Sequence, residues 1–278
     1  MRERTMIRRN VLIGMAALTP LARAALPASC LHEGPKRIMA TGLSSPVGTA
    51  FDNQGRLLIA NWSAGSVIRI ARNAQVSILA AGLQGPSGLA VAPNGDIFVA
   101  SYSGDIIWKI TAKGSPEVFA RGLATPAGLS FDRSGRLLIA NRRTNQILVA
   151  DAAGGLSVAV EGDLQTPVGV AQLADGTYFV SNINGGIAYA GADGRARTIS
   201  RDLVQPGPGI VVAGPDSVFV VDYGGTEVKQ VFKDGRTCVI ANGFKSPVGL
   251  ALSAERNMVV ADWGTNAAYG MLLGNPSP

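Results

Sequence analysis

Histidine, cysteine and aromatic side chains are all scarce in this sequence, and each shortage narrows the chemistry open to it. One histidine, His32, occurs in 278 residues, so a histidine metal cage or a Ser-His-Asp relay cannot be assembled from one chain's repeats. Cysteine occurs twice, at Cys30 and Cys238. An oxidising compartment would permit these to pair, and two unlinked thiols, one of them in the core, are the alternative. Pro27 stands where a lipoprotein signal usually has Leu, which argues against a lipid anchor on Cys30. Aromatics are 6% of the chain against 47% for all apolar residues, so the interior must be packed mainly by Val, Ile, Leu and Ala.

Positive charge is also scarcer than the formal net of +6 suggests, because five of the 25 basic residues and one of the 19 acidic residues fall within the first 24 positions. The rest of the chain has 20 basic and 18 acidic residues, a net of +2. A nucleic-acid partner therefore has no electrostatic support beyond the local Arg142-Arg143 pair. The leading stretch itself has a basic start, an apolar run from Val11 to Ala22 and the small-x-small sequence Ala22-Arg23-Ala24. That is an export signal over residues 1–24, too short to span a bilayer. Arg8-Arg9-Asn10-Val11-Leu12 resembles the twin-arginine pattern, although Ile7 and Val11 stand where Ser or Thr and Phe are more usual, and general secretion is the other route open. Cleavage after Ala24 leaves 254 of the 278 residues, which fits a short arm at 25–34 and one all-β domain. The expected location is periplasmic or secreted, with no membrane span once the signal is removed.

What the chain does have is repetition. GLSSPVGTAFDNQGRLLIANW, Gly42 to Trp62, returns as GLQGPSGLAVAPNGDIFVASY from Gly82 and as GLATPAGLSFDRSGRLLIANR from Gly122, with weaker copies from Gly162, Asp202 and Gly243. The recurring prolines Pro46, Pro86, Pro126, Pro167, Pro206 and Pro247 are 39 to 41 residues apart. A period near ~40 made of strand-like units, with no helical pattern, is the signature of a β-propeller in which each repeat is one blade.

Alternation and turn residues divide the first repeat into four strands, Val47 to Asp52, Arg56 to Asn61, Ser66 to Ala71 and Val76 to Ala80. Gly55, Gly95, Gly135 and Gly176 share one place in the first hairpin turn, where positive φ suits glycine. Asp216 and Arg256 replace it later. Asp tolerates the left-handed region and Arg does so poorly, so the sixth blade is expected to turn differently there. That last repeat is also short by one strand, since only Ala267 to Leu273 follows Trp263. PKRIMATGL, from Pro35, is similar to the fourth-strand segments QVSILAAGL, SPEVFARGL and RTCVIANGF. Arg37 to Ala40 should therefore complete the sixth blade and close the ring. The architecture expected over residues 35–278 is an all-β, six-bladed propeller of four-stranded blades.

The Pro-x-Gly strand, the Asp/Asn-x-x-Gly turn and the Ile-Ala-Asn or Val-Ala-Asp strand end, as in PVGLALSAERNMVVADWG, resemble NHL repeats. More widely they are similar to the senescence-marker/gluconolactonase class of six-bladed propellers. The resemblance covers the mature chain and implies a fold rather than one activity, because such propellers include lactonases, lyases, hydrolases and binding modules. In the lactonase branch it implies a divalent metal at the channel mouth, held by Glu, Asn and Asp. Between the recurring Pro and Gly, however, this chain has Val47, Ser87, Ala127, Val168, Pro208 and Val248, none of which supplies such a ligand.

Two rings of side chains at the ends of the second strands remain as candidates. The first is Asn61, Ser101, Asn141, Asn182, Asp222 and Asp262, in which Asn61, Asp222 and Asp262 form an oxygen-rich arc suited to calcium or magnesium. A strand spacing of ~4.8 Å places these strand ends roughly 10 Å from one another, too far for one ion. The competing role is to satisfy backbone N–H groups of each blade's own turn. The second ring, one residue on, is Trp62, Tyr102, Arg142, Ile183, Tyr223 and Trp263, with Arg143 beside Arg142. Four consecutive blades thus present aromatics on the face where inner strands begin. Such rings suit stacking on sugars, aromatic ligands or partner side chains, and they also suit packing over the next blade. The function expected is an exported module that binds a small molecule, a carbohydrate or another periplasmic protein through this face. A lactonase-like hydrolase with a relocated metal site is the second reading.

Overall fold

The second strand of every repeat is apolar on both faces, and such a strand needs a sheet on either side. Leu57–Asn61, Ile97–Ser101, Leu137–Asn141, Tyr178–Asn182 and Ser217–Asp222 are buried along their whole length, and Asn257–Asp262 along all but its first residue. A ring of sheets packed face to face meets that need. The structure, a computed structural model, describes residues 35–111 and 114–273, and these form 24 strands. The expected signal at 1–24, the expected arm at 25–34 and His32 lie outside the described residues.

Each blade is a four-stranded antiparallel meander whose strands follow in chain order from the axis outward. Blades one to five span residues 46–80, 86–120, 126–162, 167–200 and 206–241, and blade six spans 247–272. Blade six takes its fourth strand from the start of the fold, as expected. Arg37–Ala40 pairs antiparallel with Ala267–Leu272 through Arg37 with Gly270, Ile38 with Tyr269 and Ala40 with Ala268. Six apolar clusters follow, one at each blade interface. The one that seals the ring sets Leu57, Ile59, Ile68 and Ile70 of blade one against Val259 and Ala268 of blade six.

The Pro-x-Gly phrase recurs because inner strands crowd near the axis. A Cβ on Gly48 would lie 2.1 Å from the Ser87 carbonyl oxygen, and one on Gly249 would lie 2.1 Å from that of Val47. Each such glycine therefore admits the backbone of the next blade, and the Gly249 to Val47 contact closes the circle. Blade five carries one extra residue here: Pro206 and Ile210 face Asp222 and Val220, where Pro46 and Thr49 face Asn61 and Ile59. The bulge leaves Pro208 at the place of the other x residues.

Two turns differ from expectation, in opposite senses. Blade six keeps the common turn, with Ser253 N–H bonded to Asn257 O at 2.9 Å and Arg256 N–H to Ser253 O at 3.0 Å. Arg256 occupies the left-handed region at φ +62°. Ser253 Oγ, accepting from Asn257 N at 3.1 Å, replaces the carboxylate oxygen of Asp52 that accepts from Arg56 N in blade one, so the frame holds without glycine. Blade five is the one that departs. Its inner strand runs on to Gly214, which faces Ser217, so Pro215 and Asp216 alone make the turn.

Blades three and four are further joined by a short parallel pairing of their outer strands, Glu161 with Arg195 and Gly162 with Ala196. Cys238, on the outer strand of blade five, is disulfide-bonded. The chain's other cysteine, Cys30, lies outside the described residues.

Candidate functional site: the loop-side mouth of the channel

The first ring is buried and turned toward its own loops. Asp262 accepts from the backbone N–H groups of Lys245, Ser246 and Gly264 at 2.8, 2.9 and 3.0 Å, and Asp222 accepts from those of Val204 and Gln205 at 2.9 and 2.8 Å. Asn61 accepts from Ser44 N at 3.2 Å, Asn141 from Ala124 N at 2.8 Å and Asn182 from Gln165 N at 3.0 Å. Each of these side chains therefore pins the loop that leads into the inner strand of its blade, which costs little because every acceptor finds a donor. The arc Asn61, Asp222 and Asp262 does not line the channel mouth. Among the described residues no three His, Cys, Asp or Glu side chains converge.

Pinning that loop places the second ring. The N–H groups of Trp62, Tyr102, Ile183 and Trp263 bond to the carbonyls of Ser45, Gly85, Thr166 and Ser246 at 3.0 to 3.1 Å, and that of Arg142 bonds to Thr125 at 3.3 Å. Their backbones are thereby tied to the residue before each recurring proline. Asx side chains in the left-handed region then clasp one blade to the next: Asp105 accepts from Thr125 N at 2.6 Å, Asn145 from Thr166 N at 2.8 Å and Asn266 from Ser45 N at 3.0 Å.

The six second-ring side chains converge over the axis as the wall of a cup of about 380 Å³. Its floor is the ring Val47, Ser87, Ala127, Val168, Pro208 and Val248. Val47 and Pro208 also border the cavity below, of about 430 Å³, so this floor is the constriction between cup and channel. The wall residues are all half-buried. Trp62 lies between Tyr102 and Trp263, with ring centroids 4.7 and 6.2 Å apart. Its ring also covers Gly85 of the next blade, where a Cβ would come within 3.4 Å. Arg142 continues the arc, with its guanidinium carbon 5.6 Å from the Tyr102 ring centre and an N–H donated to the Tyr102 hydroxyl. Tyr223 and Ile183 complete the wall. Arg143 is exposed and stands outside the cup, its backbone N–H bonded to Ala124 O at 3.1 Å.

Chemically the cup offers two indoles, two phenols, one hydroxyl and one guanidinium among aliphatic side chains. The hydroxyl, Ser87 Oγ, is within 3.2 to 3.3 Å of the carbonyls of Ala100, Pro126 and Ala127. Among the described residues no carboxylate or imidazole lines it. The sequence does not mark the floor residues by their chemistry, since none of them is a metal ligand. Their place beside the close-approach glycines was the signal, since every such residue must face the axis.

No protein-family model and no curated protein matches the chain. Solved structures do. A gluconolactonase from Xanthomonas campestris superposes with a TM-score of 0.77 at 16% identity, over 88% of this chain and 91% of that one. Streptogramin B lyase gives 0.66 at 15% identity over 86% and 98% of the two chains. A chain of the nidogen/laminin complex gives 0.69 at 22% identity over 78% and 89%. At these identities the likeness is one of fold, and the chain is a six-bladed β-propeller.

Proposed function

We propose that the chain is an exported binding protein whose loop-side cup holds a small molecule against the Trp263, Trp62 and Tyr102 rings. The observation that carries this reading is the cup itself: two of the chain's three tryptophans and two of its five tyrosines are gathered at the one end of the channel, half-buried and still lining open space. A lactonase-like site would gather carboxylate or amide ligands for a metal at that point, and among the described residues the lining carries two phenols, one hydroxyl and one guanidinium instead. Export is supported by the signal-like first 24 residues and by the disulfide at Cys238, which persists in oxidising compartments. The secreted form is then expected to begin at or near Ala25.

The binding reading is tested by a ligand-observed NMR screen of small aromatics and sugars, repeated on a Trp62→Ala/Trp263→Ala double variant. Hits are expected to bind that variant at least about thirtyfold more weakly, the loss of one ~2 kcal/mol anchor. Its melting temperature should drop by only a few degrees, because these rings pack mainly on one another. Hits that bind the double variant unchanged would place recognition elsewhere and overturn the reading.

A further inference from the structure

The charge in the cup is unbalanced. Several basic side chains on the turns and strands of other blades have an acid beside them: Arg56 is 2.6 Å from Asp52, Arg136 is 2.8 Å from Asp132 and Lys109 is 3.0 Å from Asp96. Arg142 has none among the described residues. Its side-chain contacts are the Tyr102 hydroxyl and the Tyr102 ring. The acids on the neighbouring loops are engaged elsewhere, Asp105 with Thr125 N, Asp222 with Val204 and Gln205 N, and Asp262 with three backbone N–H groups.

A guanidinium so placed is held at the end of an aromatic arc, partly withdrawn from water, with an apolar floor beneath it. Attraction for an opposite charge grows as water is excluded. The planar fork also matches the two oxygens of a carboxylate, and Tyr102 takes only one of its N–H donors while fixing its plane. Beside it the Trp62 and Tyr102 rings meet at 59° and Trp62 and Trp263 at 41°, a faceted concave wall that one flat ring system can lie against. A volume of about 380 Å³ is at the small end of ligand cavities, enough for one or two fused rings.

We infer that the ligand class of the cup is an aromatic carboxylate, its ring against Trp263, Trp62 and Tyr102 and its carboxylate on Arg142. This rests on the reading of the cup as a binding site. Arg142 is then the specificity-determining residue, and the rings supply contact area without regard to charge.

The test is calorimetric titration with benzoate, 2-naphthoate and indole-3-carboxylate, each beside its primary amide, on the wild-type protein and on Arg142→Gln and Arg142→Lys. At least one acid is expected to bind about tenfold or more tightly than its amide, the worth of a charge-assisted hydrogen bond. That preference should vanish in Arg142→Gln, survive in part in Arg142→Lys, and weaken with added salt, the acid losing more affinity than its amide in each case. The Lys variant keeps the test decisive if the Gln variant does not fold. Equal binding of acid and amide, an acid preference that persists without Arg142, or no binding by any of the six compounds would overturn the inference. If the screen described above still yields neutral or cationic hits that need Trp62 and Trp263, the cup remains a binding site and only its ligand class is wrong. If it yields none, both readings fall.

Discussion

Substituting Ala for Gly249 adds one methyl group at one of the two tightest inner-strand contacts of the ring. The new Cβ would stand 2.1 Å from the Val47 carbonyl oxygen and 3.1 Å from both Ala261 Cβ and Thr49 Cγ2, at least about 1 Å inside the distance at which carbon and oxygen meet without repulsion. No flexible side chain can move aside, because the obstacle is backbone of the inner strand of blade one. Relief requires blades six and one to part at the seam that Arg37–Ala40 also closes. Overpacking costs ~1 to 3 kcal/mol where side chains can adjust and more where they cannot, so a loss of about 3 kcal/mol or more is expected. For a chain of this size that lowers the melting temperature by about 6 to 12 °C. Gly135→Ala is the control: Gly135 has φ +76° and nothing within 4 Å of its added Cβ, so it incurs only the left-handed penalty of ~1 to 2 kcal/mol. Thermal and urea melts of the two variants should rank Gly249→Ala clearly below Gly135→Ala. Equal losses would show that these glycines are there for conformation and not for close approach.

Three further outcomes are expected. Asp262→Ala should cost about 1 to 3 kcal/mol in urea melts, because it strands three part-buried N–H donors, and a loss under about 1 kcal/mol would show that the loop is held by other means. Deleting residues 35–40 should expose the edge of Ala267–Leu272 and cause aggregation or a marked fall in melting temperature, whereas a monomer with an unchanged melt on size-exclusion chromatography would contradict the closure. For Asp52, burial pushes the carboxyl up, but hydrogen bonds from the Arg56 backbone and side chain and from Gln54 outweigh it and hold the group below its ordinary 3.8. Its contribution to stability is therefore complete above that value and lost as pH falls through the lower folded value. Asp52→Asn should flatten the acid limb of the stability curve, and an acid limb identical to wild type would remove Asp52 from the account.

The ring and its closure were legible in the sequence because both rest on local phrases. Pro-x-Gly at a fixed period needs no tertiary knowledge to be seen, and Arg37 to Ala40 carries the wording of the other fourth strands. The turn at Arg256 runs against residue preference, because the bonds of Ser253 and Asn257 hold it in the left-handed region. The parallel pairing of Glu161 and Gly162 with blade four left no trace, since nothing in either strand encodes a partner in another blade. The site was half legible. Strand spacing describes backbones only, and long side chains reach beyond it, so that Trp62 and Tyr102 meet at 4.7 Å. Likewise the oxygen-rich arc was visible as a pattern, while its engagement with loop N–H groups depends on the bend of each lead-in loop.

The indole N–H resonances of the protein report on the central claim with little ambiguity. The chain has three tryptophans, of which Trp62 and Trp263 line the cup and Trp108 packs in the apolar cluster between blades one and two. Titrating 15N-labelled protein with a compound from the NMR screen should shift two of the three indole signals, those lost in the Trp62→Ala/Trp263→Ala variant, and leave that of Trp108 in place. Binding that leaves both cup signals unmoved, or that moves Trp108 instead, would contradict the assignment of the loop-side cup as the binding site.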